Sequence, residues 1–132
     1  MLFAHASCQT TDGVWILGEP CKRFDTATSA ELGTGILEVL EGSLTGVPHP
    51  TRWQGLFSPV LELAGVKSWK TFSEGAQCVG MKLDGNVLSL TPTEHEGHRY
   101  GFVPKEDATV EVEVGDVSEI GRAILKALEL CS

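Results

Sequence analysis

Two short clusters hold the side chains closest in type and spacing to metal ligands: His5 with Cys8, and His95 with His98 flanked by Glu94 and Glu96. A structural zinc site takes about four ligands in paired spacing; His5 with Cys8 offers two, and His95 and His98 could add Glu94 or Glu96 but lack a fourth partner. On an extended strand, residues three apart face opposite sides, so His5 and Cys8 diverge. The histidine pair therefore reads as a solvated turn, and a small metal-dependent hydrolase using the His95/His98 loop is kept as the alternative. Motifs for other chemistry are missing: the chain has no Gly-x-Ser-x-Gly elbow, Walker loop or dinucleotide fingerprint. Gly97 to Gly101 is glycine-bearing, but no helix follows it to hold a phosphate. Carboxylates pair at Glu94/Glu96, Glu106/Asp107 and Glu111/Glu113, yet general acid work requires one partner desolvated in a cleft. Loops and an outward strand face do not provide that. No catalytic residue, metal or cofactor is assigned, and the protein is read as non-enzymatic.

The same carboxylates suit recognition. Ten Lys and Arg stand against eighteen Asp and Glu, a net charge of −8. Phosphate-backbone binding rests on clustered cations, so nucleic acid is excluded as a ligand and a basic protein is the natural complement. The excess is concentrated between Glu94 and Glu119, where eight carboxylates face only Arg99 and Lys105. Asp116 and Glu119 belong to a helix start, where negative charge is favoured. Glu94, Glu96, Glu106, Asp107, Glu111 and Glu113 remain. One reading is a solvated face whose charges keep an edge strand from pairing with other chains. The other is an electronegative patch that steers and docks a cationic partner, with Tyr100, and Phe102 beside it, as aromatic anchors.

The elements that position these groups follow from pattern. Thr28 and Glu31 form a capping-box pair before Leu32, Ile36, Leu37 and Leu40 at helical spacing. Asp116 and Glu119 do the same before Ile120, Ile124, Leu125 and Leu128. Shifted by 88 positions the two segments coincide at Glu31/Glu119, Gly33/Gly121, Ile36/Ile124, Leu37/Leu125, Leu40/Leu128 and Glu41/Glu129. An internal β-α duplication is one reading of that echo; the general likeness of amphipathic helices is the other. Glycine inside a helix costs about 1 kcal/mol against alanine, so Gly33 and Gly121 imply close approach of another element. Hairpins are expected at Phe3–Cys8 with Val14–Leu17, and at Cys78–Leu83 with Val87–Leu90 through Asp84-Gly85-Asn86. Val110, Val112 and Val114 alternate with Glu111 and Glu113, a strand with carboxylates toward water. Gly46 to Pro50 forbids a helix, and a short one is expected near Leu56–Leu63.

These elements predict an α+β fold in a single domain, 1–132: a mainly antiparallel sheet with two or three helices packed chiefly on one face. No signal-peptide pattern or membrane-length apolar run occurs, which points to the cytoplasm and away from a membrane partner. Cys8, Cys21, Cys78 and Cys131 form no C-x-x-C pair and read as reduced structural thiols.

Longer stretches carry a resemblance. Gly46-Val47-Pro48-His49-Pro50, leading through Trp53 to Ala64-Gly65-Val66-Lys67-Ser68, is followed by Trp69-Lys70-Thr71-Phe72 and Gly75-Ala76. The strand Cys78 to Leu83, the run Val87 to Thr93, then Gly101-Phe102 and the helix from Glu119-Ile120-Gly121, complete it. From about Glu31 onward the chain resembles bacterial contact-dependent growth inhibition immunity proteins. The resemblance implies a cytoplasmic protein that binds the C-terminal toxin domain of a delivered effector and occludes its active site. Such toxins are commonly nucleases with cationic surfaces, which agrees with the charge argument. It transfers no contact residue, so the toxin-binding set rests on charge and aromatic placement alone: Glu94, Glu96, Tyr100, Glu106, Asp107, Glu111 and Glu113. An acidic interaction domain unrelated to toxins is the remaining alternative.

Overall fold

A computed structural model describes residues 1–52, 55–97 and 100–132. His98 and Arg99 of the histidine loop, and Trp53, lie outside the described residues. The chain forms an α+β fold in two compact units, Met1–Thr26 with Thr34–Trp69, and Ala27–Gly33 with Lys70–Ser132. The strands are divided between two sheets where the sequence suggested one.

The first unit opens with β1 (Leu2–Thr10) and β2 (Trp15–Phe24), an antiparallel pair, and adds β3 (Thr45–Val47) parallel to β1, in the order β2-β1-β3. Ala4, Ala6, Cys8 and Thr10 alternate along β1 and are all buried, the period-two signature of a half-covered sheet. Strand β2 continues past the Leu17 limit that the sequence indicated, through Gly18 and Pro20. This is possible because β2 is an edge strand and Glu19 and Pro20 are extra residues between the pairs Ala6↔Gly18 and His5↔Cys21, a bulge that needs no ladder donor from proline. Helix α1 (Ser29–Leu40) buries Leu32, Ile36 and Val39. Its later part meets the sheet: Lys22 pairs with Glu38, and just beyond the helix Cys8 Sγ donates to the Gly42 carbonyl at 3.5 Å. Helix α2 (Ser58–Ala64) starts with Pro59 in its first turn and stops at left-handed Gly65, whose amide and that of Val66 close onto Glu62 and Leu61 carbonyls.

In the second unit α3 (Trp69–Ser73) precedes β4 (Val79–Asp84) and β5 (Val87–His95), joined by the two-residue turn Gly85-Asn86. On the other side β5 pairs with β6 (Phe102–Pro104) at its end and β7 (Val110–Glu113) at its start, with a 3-10 turn, Glu106–Ala108, between them. Helix α4 (Val117–Glu129) packs on β5 and β7, setting Ile120, Ile124 and Ala127 with Leu88 and Leu90 in the core. Thus α1 and α4 do not share one sheet face as expected: the later part of α1 lies against the first sheet and α4 against the second. The repeated Gly33 and Gly121 are explained by a close helix crossing inside the second unit. A Cβ at Gly33 would run into the Val117 carbonyl, and one at Gly121 into the Ser29 carbonyl. The contact is reciprocal, since Ser29 and Val117 each precede their own glycine by four residues, one helical turn.

Candidate protein-binding surface

The carboxylates of the predicted set are placed by β5, its edge partners and the hairpin between β5 and β6. Strand β7 pairs Glu111 with Ser89 and Glu113 with Val87, while Val110 and Val112 stand opposite Leu90 and Leu88. Leu88 and Leu90 are fully buried under α4, so the alternation that turns the half-buried valines toward them turns Glu111 and Glu113 to the opposite, exposed face. Strand β4 brings Lys82 into the row of Ser89 and Glu111, and Asp84 into the row of Val87 and Glu113. Both are exposed. Sequence reasoning missed these two, although the alternation Gly80, Lys82, Asp84 against Val79, Met81, Leu83 was a period-two signal.

Glu106 and Asp107 project from the 3-10 turn at the sheet edge and are exposed. That turn is held by Lys105, whose amide donates to Pro92 O at 2.8 Å and whose Nζ reaches Leu130 O at 3.0 Å, and by Thr109, which caps Glu106 O at 2.8 Å. Glu94, Glu96 and Tyr100 lie at the other end of β5, and Tyr100 is 76% exposed. Eight residues separate the Val87 row from the His95 row, a span of about 26 Å at strand rise. The structure therefore spreads the seven residues along one sheet edge in three groups: Glu111 with Glu113, Glu106 with Asp107, and the hairpin group. Glu94 shares the parity of Leu88, Leu90 and Pro92, the reverse of Glu111. Phe102, considered with Tyr100 as an anchor, is half-buried with its ring edge-on to His95 at 4.6 Å.

His95 has structural work. Its Nε2 donates to Ser73 O at 2.7 Å and its Nδ1 accepts the Gly97 amide at 2.9 Å. A carbonyl on one nitrogen and an N–H on the other define the neutral tautomer with hydrogen on Nε2, and both ring nitrogens are occupied. A metal would have to break one of these bonds. Among the described residues no group of three or more His, Cys, Asp or Glu could hold a metal ion. The four cysteines are free thiols. Burial, then the neighbouring Cys131 sulfur, pushes the Cys78 thiol above its ordinary value; burial, then Glu19, raises Cys21. Neither is poised as a nucleophile.

What the described surface offers is acceptor chemistry: exposed carboxylates at a sheet edge, suited to charge-assisted hydrogen bonds from lysine and arginine. That defines an α+β protein with exposed carboxylates along one sheet edge. The family model for CDI immunity proteins, those of contact-dependent growth inhibition, matches residues 24–131, and the chain belongs to that family. It is thus an immunity protein directed against a toxin of this system, as the sequence resemblance implied. A solved structure of a protein of unknown function from Neisseria meningitidis shares the fold, with a TM-score of 0.78 and 16% sequence identity over 97% of this chain and 87% of the other. No curated protein matches the chain significantly. No helix among the described residues is long and apolar enough to cross a membrane.

Proposed function

We propose that the protein acts in the cytoplasm by binding the C-terminal toxin domain of a contact-dependent growth inhibition effector and occluding its active site, the toxin being a nuclease with a cationic substrate surface. The observation that carries this reading is that Glu94, Glu96, Tyr100, Glu106, Asp107, Glu111 and Glu113 are all exposed on a chain of net charge −8. Fixed carboxylates imitate the phosphates such an enzyme recognises, speeding association through long-range attraction. The action is binding and not catalysis, with neither cofactor, nucleic acid nor membrane as partner. The engagement of both His95 nitrogens weighs against the metal-dependent alternative.

The test uses the last domain of the secreted effector encoded beside this gene. Co-expression should rescue cells from that domain, and an equimolar amount of the protein should abolish its nuclease activity in vitro. Association should slow steeply from low to high salt as the attraction is screened. An association rate indifferent to salt would remove the charge-imitation account; failure to protect cells would remove the neutralisation itself.

A further inference from the structure

The two units repeat one strand-strand-helix plan, and among the described residues the edge strand of the first is covered from within its own unit where that of the second is not. In the first, Lys22 stands opposite buried Ala4 and Arg23 opposite Phe3. In the second, Val110 stands opposite buried Leu90 and Glu111 opposite Ser89. Lys22 and Val110 thus take the buried side of their sheets, and Arg23 and Glu111 the other. The offset from Arg23 to Glu111 is the same 88 positions that relates Gly33 to Gly121. Even the interruptions correspond: Glu19 and Pro20 bulge from β2, and 88 positions later Asp107 and Ala108 lie in the 3-10 turn that splits β6 from β7.

In the first unit this edge is a seat. Helix α2 packs against β2, and Arg23 Nη1 donates to Leu63 O at 2.8 Å, a carbonyl in the last turn of α2 where the helix dipole is negative. In the second unit Glu111 occupies the place of Arg23. It is exposed, it carries no hydrogen bond or ion pair among the described residues, and within the described part of the second unit no helix packs on that side of β7 as α2 packs on β2.

We infer that the toxin takes, on the second unit, the seat that α2 takes on the first, laying a segment bearing lysine or arginine against β7 and the 3-10 turn. This rests on the immunity reading and narrows it. The charge inversion identifies the occupant: where Arg23 donates to a carbonyl, Glu111 accepts from a cation, and Glu106, Asp107 and Glu113 extend the same demand along the edge. Glu94, Glu96 and Tyr100, at the far hairpin, fall outside the seat.

The experiment measures binding of the neighbouring effector's toxin domain to Glu111→Arg, to the pair Glu106→Lys with Asp107→Lys, and to the pair Glu94→Lys with Glu96→Lys. Melting of each variant is followed by circular dichroism, and only variants that melt like the parent are compared. Glu111→Arg and the turn pair should each weaken binding by about tenfold or more, and the hairpin pair by less than about threefold, the contrast between buried interfacial and rim charges. Equal loss from both sets, loss from the hairpin pair alone, or unchanged binding by all three overturns the inference while the immunity reading stands. If the parent protein neither binds the domain nor protects cells from it, the immunity reading falls and the seat falls with it.

Discussion

Replacing Gly33 by alanine tests the helix crossing on which the second unit's core depends. The new methyl would lie 2.8 Å from the carbonyl carbon of Val117, and closer still to its oxygen. Unbonded carbons settle at about 3.5–4.0 Å, so the helices must part by about 1 Å. Backbone cannot rotate away as a flexible side chain would. Overpacking of this kind costs about 1–3 kcal/mol. Alanine's better helix propensity returns about 1 kcal/mol. The net expectation for Gly33→Ala is a loss of up to about 2 kcal/mol, and each 1 kcal/mol lowers the melting midpoint of a chain this size by about 3–6 °C. Gly121→Ala, whose methyl would lie 2.6 Å from the Ser29 carbonyl carbon, should cost a similar amount. The double variant should cost less than the sum, because helices parted by one methyl already make room for the other. Urea unfolding followed by circular dichroism supplies all three values. A Gly33→Ala protein at least as stable as the parent, or strict additivity of the pair, would refute the reciprocal close approach.

Three further outcomes follow from individual groups. Asp116→Ala removes the side chain that accepts the Ser118 amide at 2.9 Å and should destabilise by about 1 kcal/mol, with Asp116→Asn nearly neutral; equal stability of the alanine variant in urea would deny the cap its role. Long-range proton–nitrogen NMR should find His95 with hydrogen on Nε2, and His95→Ala should raise the exchange rate of the Gly97 amide that Nδ1 accepts; an Nδ1–H tautomer, or unchanged exchange in the variant, contradicts the geometry. The Cys78 thiol lies above its ordinary value of 9.0 because burial penalises the thiolate. The folded state therefore holds this proton when the unfolded chain has released it, so stability is full below that value and falls as pH rises through the folded one. Cys78→Ala should flatten this alkaline limb in urea midpoints measured above about pH 9, and an unchanged slope would count against it.

Much of the architecture could be read without coordinates because it is written in local rules. Thr28 accepts the Glu31 amide at 3.1 Å and Asp116 caps α4, as hydroxyl and carboxylate acceptors three or fewer residues from an orphan amide must. The valines of β7 and the turn at Gly85 are equally local, and α2 ends at Gly65, just past the Leu56–Leu63 stretch expected to be helical. Pairing was less legible. Strand β3 passed as a breaker segment because its three residues are extended only through their parallel partner β1. Strand β6 was hidden by its brevity, and the part of β5 beyond Leu90 by Pro92, which ended the recognisable run.

Fold class, helix caps, paired glycines, acidic balance and family likeness are legible along the chain, because each depends on residue type at short or fixed spacing. Which carboxylates are neighbours depends on the folded ladders. Strand parity and register place Glu111 in a row with Ser89 and Lys82, set Glu94 on the opposite parity, and give His95 two partners that occupy its ring. Those relations join residues up to 29 positions apart across ladders and loops, and no count of charges along the chain contains them.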